Sequence, residues 1–225
     1  MERERAEVAE YGRRMEASGL TRGTGGNLSV FDPESGLFAV KPGGLPYGAI
    51  APEDVPLLDL SGQVVEGDRA PSSEWRMHAA LYVPGGTIRA AVHTHSVFAT
   101  TLACLGWEVP PLHYLLAYAG PRLRICPYRP FGSAELARAA AETMGGDRAI
   151  LLANHGLLAV GSSLPEAFAV AEETEFVCEL YCRAKALGEP RLLSPEETDD
   201  ALDRIGAYAR RSAGLTRGIP GVSGR

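Results

Sequence analysis

Two histidines separated by one residue, His93 and His95, follow the apolar run Ala90-Ala91-Val92. Alternate side chains of a strand point to the same side, so both imidazoles face one way. A third histidine, His155, sits between Asn154 and Gly156, where a turn would present the ring rather than pack it. Three imidazoles with one position left open are the donor set of a catalytic zinc. Such an ion polarises a carbonyl or a neighbouring hydroxyl as a Lewis acid. By residue type alone, the three could equally be separate polar contacts within a sheet.

Glu74 closes the segment Pro71-Ser72-Ser73-Glu74, which reads as a helix start with a serine cap and an acid in the first turn. Paired hydroxyls beside the free N–H groups of a helix N-terminus form an anion site. An acid next to a bound anion is electrostatically unfavourable. Glu74 therefore either serves only the helix dipole or has a proton to move. The stretches Gly25-Gly26-Asn27 and Lys41-Pro42-Gly43-Gly44 are tight turns or places where backbone amides approach a phosphate. Neither has the glycine spacing of a dinucleotide-binding loop or a P-loop. Rare residues concentrate here: Asn27 and Asn154 are the only asparagines, and Lys41 is one of two lysines.

The elements that position these groups follow from hydrophobic periodicity. A helix is expected over residues 2–18, with Val8, Tyr11 and Met15 on one face and Gly19 as its stop. The first glycine-rich loop runs into a strand, and Asp32-Pro33-Glu34-Ser35-Gly36 turns it into a second strand over 37–40. Strands over 57–60 and 63–66 flank Ser61-Gly62. A helix from Ser72 through Met77 and Leu81 to Pro84 leads to a strand over 87–93 that carries His93. Further helices are expected over 97–105, 134–144, 164–187 and 196–211. Strands over 123–126, 149–153 and 157–160 complete the pattern, the last two around Asn154-His155-Gly156. The segment 214–225, rich in Gly, Ser and Arg, reads as a mobile tail. Mixed strands and helices without a dividing linker imply a single layered α/β domain.

The 225 residues carry a formal net charge of −6, with 45% apolar and 22% charged side chains. That is ordinary composition for one globular domain. A negative net charge and no basic stripe argue against a general nucleic-acid binder. The charged start Met1-Glu2-Arg3-Glu4-Arg5 is no signal peptide, and no apolar run approaches the roughly 20 residues that span a bilayer. Cys104, Cys126, Cys178 and Cys182 lack C-x-x-C spacing and lie among apolar neighbours, as buried thiols of a reducing cytosol do. A cytoplasmic protein without membrane or nucleic-acid partners is the expectation.

Gly25-Gly26-Asn27-Leu28-Ser29, Lys41-Pro42-Gly43-Gly44, Pro71-Ser72-Ser73-Glu74-Trp75-Arg76-Met77-His78, His93-Thr94-His95 and Asn154-His155-Gly156 occur in the order of the class II sugar-phosphate aldolases. The chain resembles that superfamily over residues 5–210, and the L-fuculose-1-phosphate aldolases most of all. The resemblance implies a three-layer αβα sandwich around a central, mostly antiparallel sheet, with the domain occupying residues 1–212. It implies Zn2+ held by His93, His95 and His155. Glu74 would be the fourth ligand at rest, leaving the metal on substrate binding to act as acid and base. Gly26, Asn27, Gly43, Gly44, Ser72 and Ser73 would bind the substrate phosphate.

Tyr114, within Leu112-His113-Tyr114-Leu115-Leu116, matches a tyrosine that enters a neighbouring subunit's site and exchanges a proton with the aldehyde oxygen. A homotetramer with active sites at subunit interfaces follows from that match. Tyr208 matches a tyrosine of the C-terminal segment. The implied reaction cleaves a ketose 1-phosphate, L-fuculose 1-phosphate in the family, to dihydroxyacetone phosphate and L-lactaldehyde. Gly43 departs from the pattern, standing where the fuculose enzymes carry threonine, and Lys41 would compensate the lost hydroxyl with charge. Related pentulose-phosphate 4-epimerases carry Asp where Glu74 stands. Methylthioribulose-phosphate dehydratases share the zinc site, and adducin-head scaffolds lack the histidine set.

Overall fold

The computed structural model describes residues 1–216. Strands β1 (Asn27–Asp32), β2 (Leu37–Val40), β3 (Leu57–Asp59), β4 (Val64–Glu66), β5 (Ala90–Thr94), β6 (Arg124–Cys126), β7 (Ala149–Leu152) and β8 (Gly156–Gly161) make one sheet. Its spatial order is β4-β3-β2-β1-β5-β8-β7-β6. Every neighbouring pair is antiparallel except β6 with β7. β5 is therefore central, and all five of its residues are buried.

Alternation along β5 shows why the sheet is covered twice. Ala90 and Val92 join the core beneath α1 (Glu2–Ala17), α3 (Val97–Leu105) and α5 (Leu164–Leu187). Ala91 belongs to the opposite core, with α2 (Trp75–Ala79) and α4 (Ala134–Met144). The result is the three-layer αβα sandwich expected from the resemblance. Each fully buried Leu or Val in these layers contributes about 1.5–3 kcal/mol relative to exposure. α1 buries Val8 and Met15, while Tyr11 packs edge-on against Phe168 of α5 with ring centroids 5.3 Å apart. The Ser163 side chain caps α5 by accepting from the Glu166 N–H, and Pro165 occupies its first turn.

Four expectations are corrected. The helix drawn from Ser72 to Pro84 shrinks to the five residues of α2. Its intended first turn is instead used by a loop pairing: the Ser72 N–H donates to the Lys41 carbonyl, and Pro71 bridges Pro42. The central strand begins at Ala90, not at residue 87, and His95 lies one residue past its end. Cys104 is exposed, although Cys126 and Cys178 are buried as expected. The last helix, α6 (Pro195–Thr216), runs beyond the expected 196–211. The rest of the segment read as a mobile tail, residues 217–225, lies outside the described residues. Among the described residues, no helix is long and apolar enough to cross a membrane.

Candidate active site

β5 places His93 between β1 and β8, opposite Asn27 on one side and Leu158 on the other. The ring is fully buried, and its Nδ1 lies 2.8 Å from the Leu157 carbonyl oxygen. A carbonyl only accepts, so Nδ1 carries the proton and Nε2 presents a lone pair. His95 continues from the strand end, and His155 enters from the β7–β8 turn. That turn needs a left-handed residue, and Asn154 supplies it at φ 55°. Ring centroids are 4.9 Å apart for His93 and His95, 4.7 Å for His93 and His155, and 5.2 Å for His95 and His155. One ring nitrogen from each lies within 4.8 Å of the others.

Two glycines permit this crowding. A Cβ on Gly26, at φ +68°, would lie 2.6 Å from the His93 carbonyl oxygen. A Cβ on Gly156 would run into the Thr94 carbonyl oxygen. Burial, reinforced by the neighbouring imidazoles, pushes the His95 and His155 pKa values down to about 4. Both rings are therefore neutral near pH 7 and offer lone pairs.

Glu74 occupies the residue before α2 and aims its buried carboxylate at the histidines. Oε2 accepts from Asn27 Nδ2 at 2.9 Å and lies 3.3 Å from His93 Nε2. Oε1 lies 3.3 Å from His155 Nε2 and, though buried, has no hydrogen-bond partner among the described residues. Burial opposes ionisation of this carboxyl, but positive charge gathered at the neighbouring His93 and His155, with the Asn27 bond, outweighs it and holds its pKa well below the usual range. His93 Nε2 and His95 Nε2 are also only 3.1 Å apart. Imidazole lone pairs facing each other and a carboxylate call for a positive charge among them. The donor set fits a divalent metal of the zinc type, with His93, His95 and His155 as ligands and Glu74 beside them.

The histidine cluster adjoins a cavity of about 440 Å³. Gly26, Asn27, Gly43, Gly44, Ser72, Ser73, Glu74, His95 and His155 all line it, so the residues expected at the phosphate and metal ends share one space. The two serines do not form a helix-terminus anion site, because α2 is too short and starts after them. Ser72 Oγ instead accepts from the Glu74 N–H at 3.3 Å, fixing the turn that presents the acid. The loops 41–44 and 70–73 are zipped together by Ser72 N–H to the Lys41 carbonyl, 3.0 Å, and Gly43 N–H to the Ala70 carbonyl, 2.9 Å.

Lys41 also lines the cavity, yet its side chain is almost wholly buried. Its ammonium lies 3.4 Å from the Thr24 carbonyl and 3.2 Å from the Pro42 carbonyl, and 4.7 Å above the Tyr47 ring. Burial lowers its pKa. No carboxylate pairs with it among the described residues, so a bound anion would supply the missing countercharge.

Tyr114 does not line the cavity of its own chain. It lies half exposed on a 3-10 turn, Tyr114–Tyr118, with its ring 4.8 Å from that of His113. Tyr208, on α6, is likewise exposed and away from the cavity. Sequence reasoning missed Thr24, Tyr128, Arg129 and Phe131, which complete the lining. The last three lie between β6 and α4. Their only local signal is a pair of exposed aromatics among Pro127, Pro130 and Gly132.

The profile of the class II aldolase and adducin N-terminal domain family matches residues 6–182. The chain is 48% identical over 211 residues to a 5-deoxy-D-ribulose 1-phosphate aldolase of Bacillus thuringiensis serovar kurstaki, covering 94% of this chain and 99% of that one. It is 36% identical over 195 residues to an L-fuculose phosphate aldolase of Escherichia coli K12, covering 86% and 89%. A solved structure described as L-fuculose 1-phosphate aldolase superposes with a TM-score of 0.88 at 44% identity, covering 90% of this chain and 96% of that one.

Proposed function

The chain belongs to the class II aldolase family, and from that premise we propose that it is a zinc-dependent aldolase acting on a ketose 1-phosphate. The substrate proposed is a 5-deoxypentulose 1-phosphate, cleaved between C3 and C4 to dihydroxyacetone phosphate and acetaldehyde. The relative at 48% identity is named for that substrate, whereas the L-fuculose phosphate aldolase of Escherichia coli stands at 36%. L-fuculose 1-phosphate, yielding L-lactaldehyde, is the second reading, supported by the solved structure at 44% identity. The observation that carries the aldolase reading is Glu74 facing three convergent imidazoles beside a cavity that also holds Lys41.

Zinc held by His93, His95 and His155 supplies, when bound, Lewis-acid polarisation of the ketose carbonyl and a positive charge close to the electrons released from the broken bond. The chain's own groups do the rest. Lys41, the Asn27 amide, the Ser72 and Ser73 hydroxyls and the backbone N–H groups of Gly26 and Gly44 hold the phosphate dianion, while Gly43, whose N–H is committed to the Ala70 carbonyl, shapes the loop beside it. That grip spends binding energy on orienting C3 and C4 for cleavage. Glu74 delivers a proton to C3, where the C3–C4 electron pair is left on the dihydroxyacetone half; because the carboxylate rests ionised, it first takes up that proton from solvent, in balance with the one lost from the C4 hydroxyl. Tyr114 of a neighbouring copy takes the C4 hydroxyl proton as that carbon becomes the aldehyde, which accords with its position outside its own chain's cavity. A homotetramer with sites at subunit boundaries accommodates that exchange.

The test is a cleavage assay on 5-deoxy-D-ribulose 1-phosphate and L-fuculose 1-phosphate, reading dihydroxyacetone phosphate with and without a chelator. Chelator-sensitive release of dihydroxyacetone phosphate, faster from the 5-deoxypentulose, is expected. Conversion of either ketose without that product would point to epimerase or dehydratase chemistry and overturn the reading.

A further inference from the structure

Asn27 joins the site to a second polar cluster on which the proposed chemistry makes no demand. Asn27 Oδ1 is hydrogen-bonded to His78 Nε2, and His78 Nδ1 lies 2.6 Å from Ser29 Oγ. Ser29 Oγ in turn contacts the Tyr82 hydroxyl. All four side chains are buried. Asn27 and Ser29 are alternate residues on one side of β1. His78 and Tyr82, four residues apart, face them from α2 and the turn that follows it. The surroundings are apolar, with Met77, Leu81, Phe31 and Phe38 packed nearby.

One ionised carboxylate orders every proton in this chain of contacts. Glu74 Oε2 can only accept, so the Asn27 group facing it is the Nδ2 donor. Asn27 Oδ1 then faces His78 and can only accept, so His78 carries its proton on Nε2. His78 Nδ1 is left with a lone pair, which the Ser29 hydroxyl must satisfy by donating. The Ser29 oxygen accepts in turn from the Tyr82 hydroxyl. No group has a choice while His78 is neutral. Its complete burial, with His93 nearby, pushes its pKa down to about 3 and keeps it so.

We propose that His78 is a positioning residue for Glu74: its Nε2–H tautomer locks the Asn27 amide so that Nδ2 always binds Glu74 Oε2, leaving Oε1 as the oxygen that exchanges a proton. The inference rests on the reading of Glu74 as the acid/base. Without the His78 donor, the carboxylate alone would orient the Asn27 amide, and each time Glu74 carries its proton the amide could turn its oxygen toward it, to be left there when the proton departs. Two acceptors would then face each other, and the acid would lose its fixed direction.

The experiment uses the full chain labelled with 15N-histidine, with and without zinc, and assigns His78 by its disappearance in His78→Gln. Long-range proton–nitrogen correlations are expected to show the Nε2–H tautomer in both forms. His78→Leu should lower kcat by about 10–100-fold, in the range found when partners behind a metal site are removed, with little change in KM. His78→Gln, which keeps a donor for Asn27 and an acceptor for Ser29, should recover most of that loss. An Nδ1–H or doubly protonated His78, an unchanged kcat in folded His78→Leu, or a Gln variant as impaired as Leu would overturn the proposal. If His78→Leu does not fold, the wild-type spectrum decides. The tautomer is read without turnover, so failure of the aldolase assay would be a separate result.

Discussion

Gly43 sits so close to Pro71 that a Cβ upon it would lie 3.0 Å from the Pro71 carbonyl oxygen. The contact lies where the loops 41–44 and 70–73 are zipped together, and Gly43, Ser72 and Ser73 all line the cavity there. The missing hydroxyl at residue 43 is thus coupled to tight closure of the two loops. Gly43→Thr is predicted to push them apart, destabilising the protein by about 1–3 kcal/mol as overpacking does. It should also raise KM for the phosphorylated ketose. Urea unfolding and steady-state kinetics check this; an equally stable variant with a lower KM would show that a hydroxyl fits there.

Glu74→Gln keeps the side-chain shape and an oxygen to accept from Asn27 Nδ2, but it cannot carry a proton to carbon. Zinc content should stay near that of the wild type, because the three histidines are untouched. The kcat should fall by at least about 100-fold, the lower end of what a positioned acid/base supplies. Metal analysis beside the cleavage assay measures both. Wild-type turnover in this variant would remove Glu74 from the proton transfer.

Tyr114 is predicted to act in trans. Tyr114→Phe and Glu74→Gln proteins, each impaired alone, should regain activity when their subunits are mixed and exchanged. Some sites would then draw an intact Glu74 from one copy and an intact Tyr114 from another. Size-exclusion chromatography establishes that mixed oligomers have formed. No recovery in such oligomers would place Tyr114 outside the neighbour's site.

Acid should destabilise the metal-free protein through its buried imidazoles. His78 is held at about 3, and His95 and His155 at about 4, against an ordinary 6.5. Between those values the unfolded chain binds protons that the folded chain refuses, so stability falls as pH falls. It should be fully present above about pH 6.5 and drop steadily toward pH 4. Below that, protonation of Glu74, whose folded pKa is also depressed, adds to the loss. Denaturant midpoints across this range are the measurement, and a flat profile would contradict the buried, neutral state of the rings.

Removing the metal should abolish cleavage and lower the melting temperature together, since a ligand bound only by the folded state stabilises it. Free zinc at a thousand times its Kd would restore about 4 kcal/mol. Calorimetric melting of chelated and zinc-reloaded protein, paired with activity, tests the link. Full activity after verified metal removal would sink it.

The sequence by itself determined the chemistry on offer and much of the scaffold. The spacing of His93 and His95, the turn-forming Asn154-His155-Gly156 and the two glycine-rich loops could be read because strand alternation and turn chemistry are local rules. The periodicity of Val8, Tyr11 and Met15 and of the long helix over 164–187 could be read for the same reason. Where a distant segment competed for the backbone, local rules failed: Pro71 and Ser72 pair with the loop at Lys41, and the helix expected from Ser72 begins only at Trp75. Tertiary structure alone decided that Lys41 is buried without a carboxylate partner among the described residues and that Tyr128, Arg129 and Phe131 line one cavity with His95 and His155. It alone set His78 behind Asn27, because α2 folds back onto β1 and joins side chains that lie dozens of positions apart in the chain.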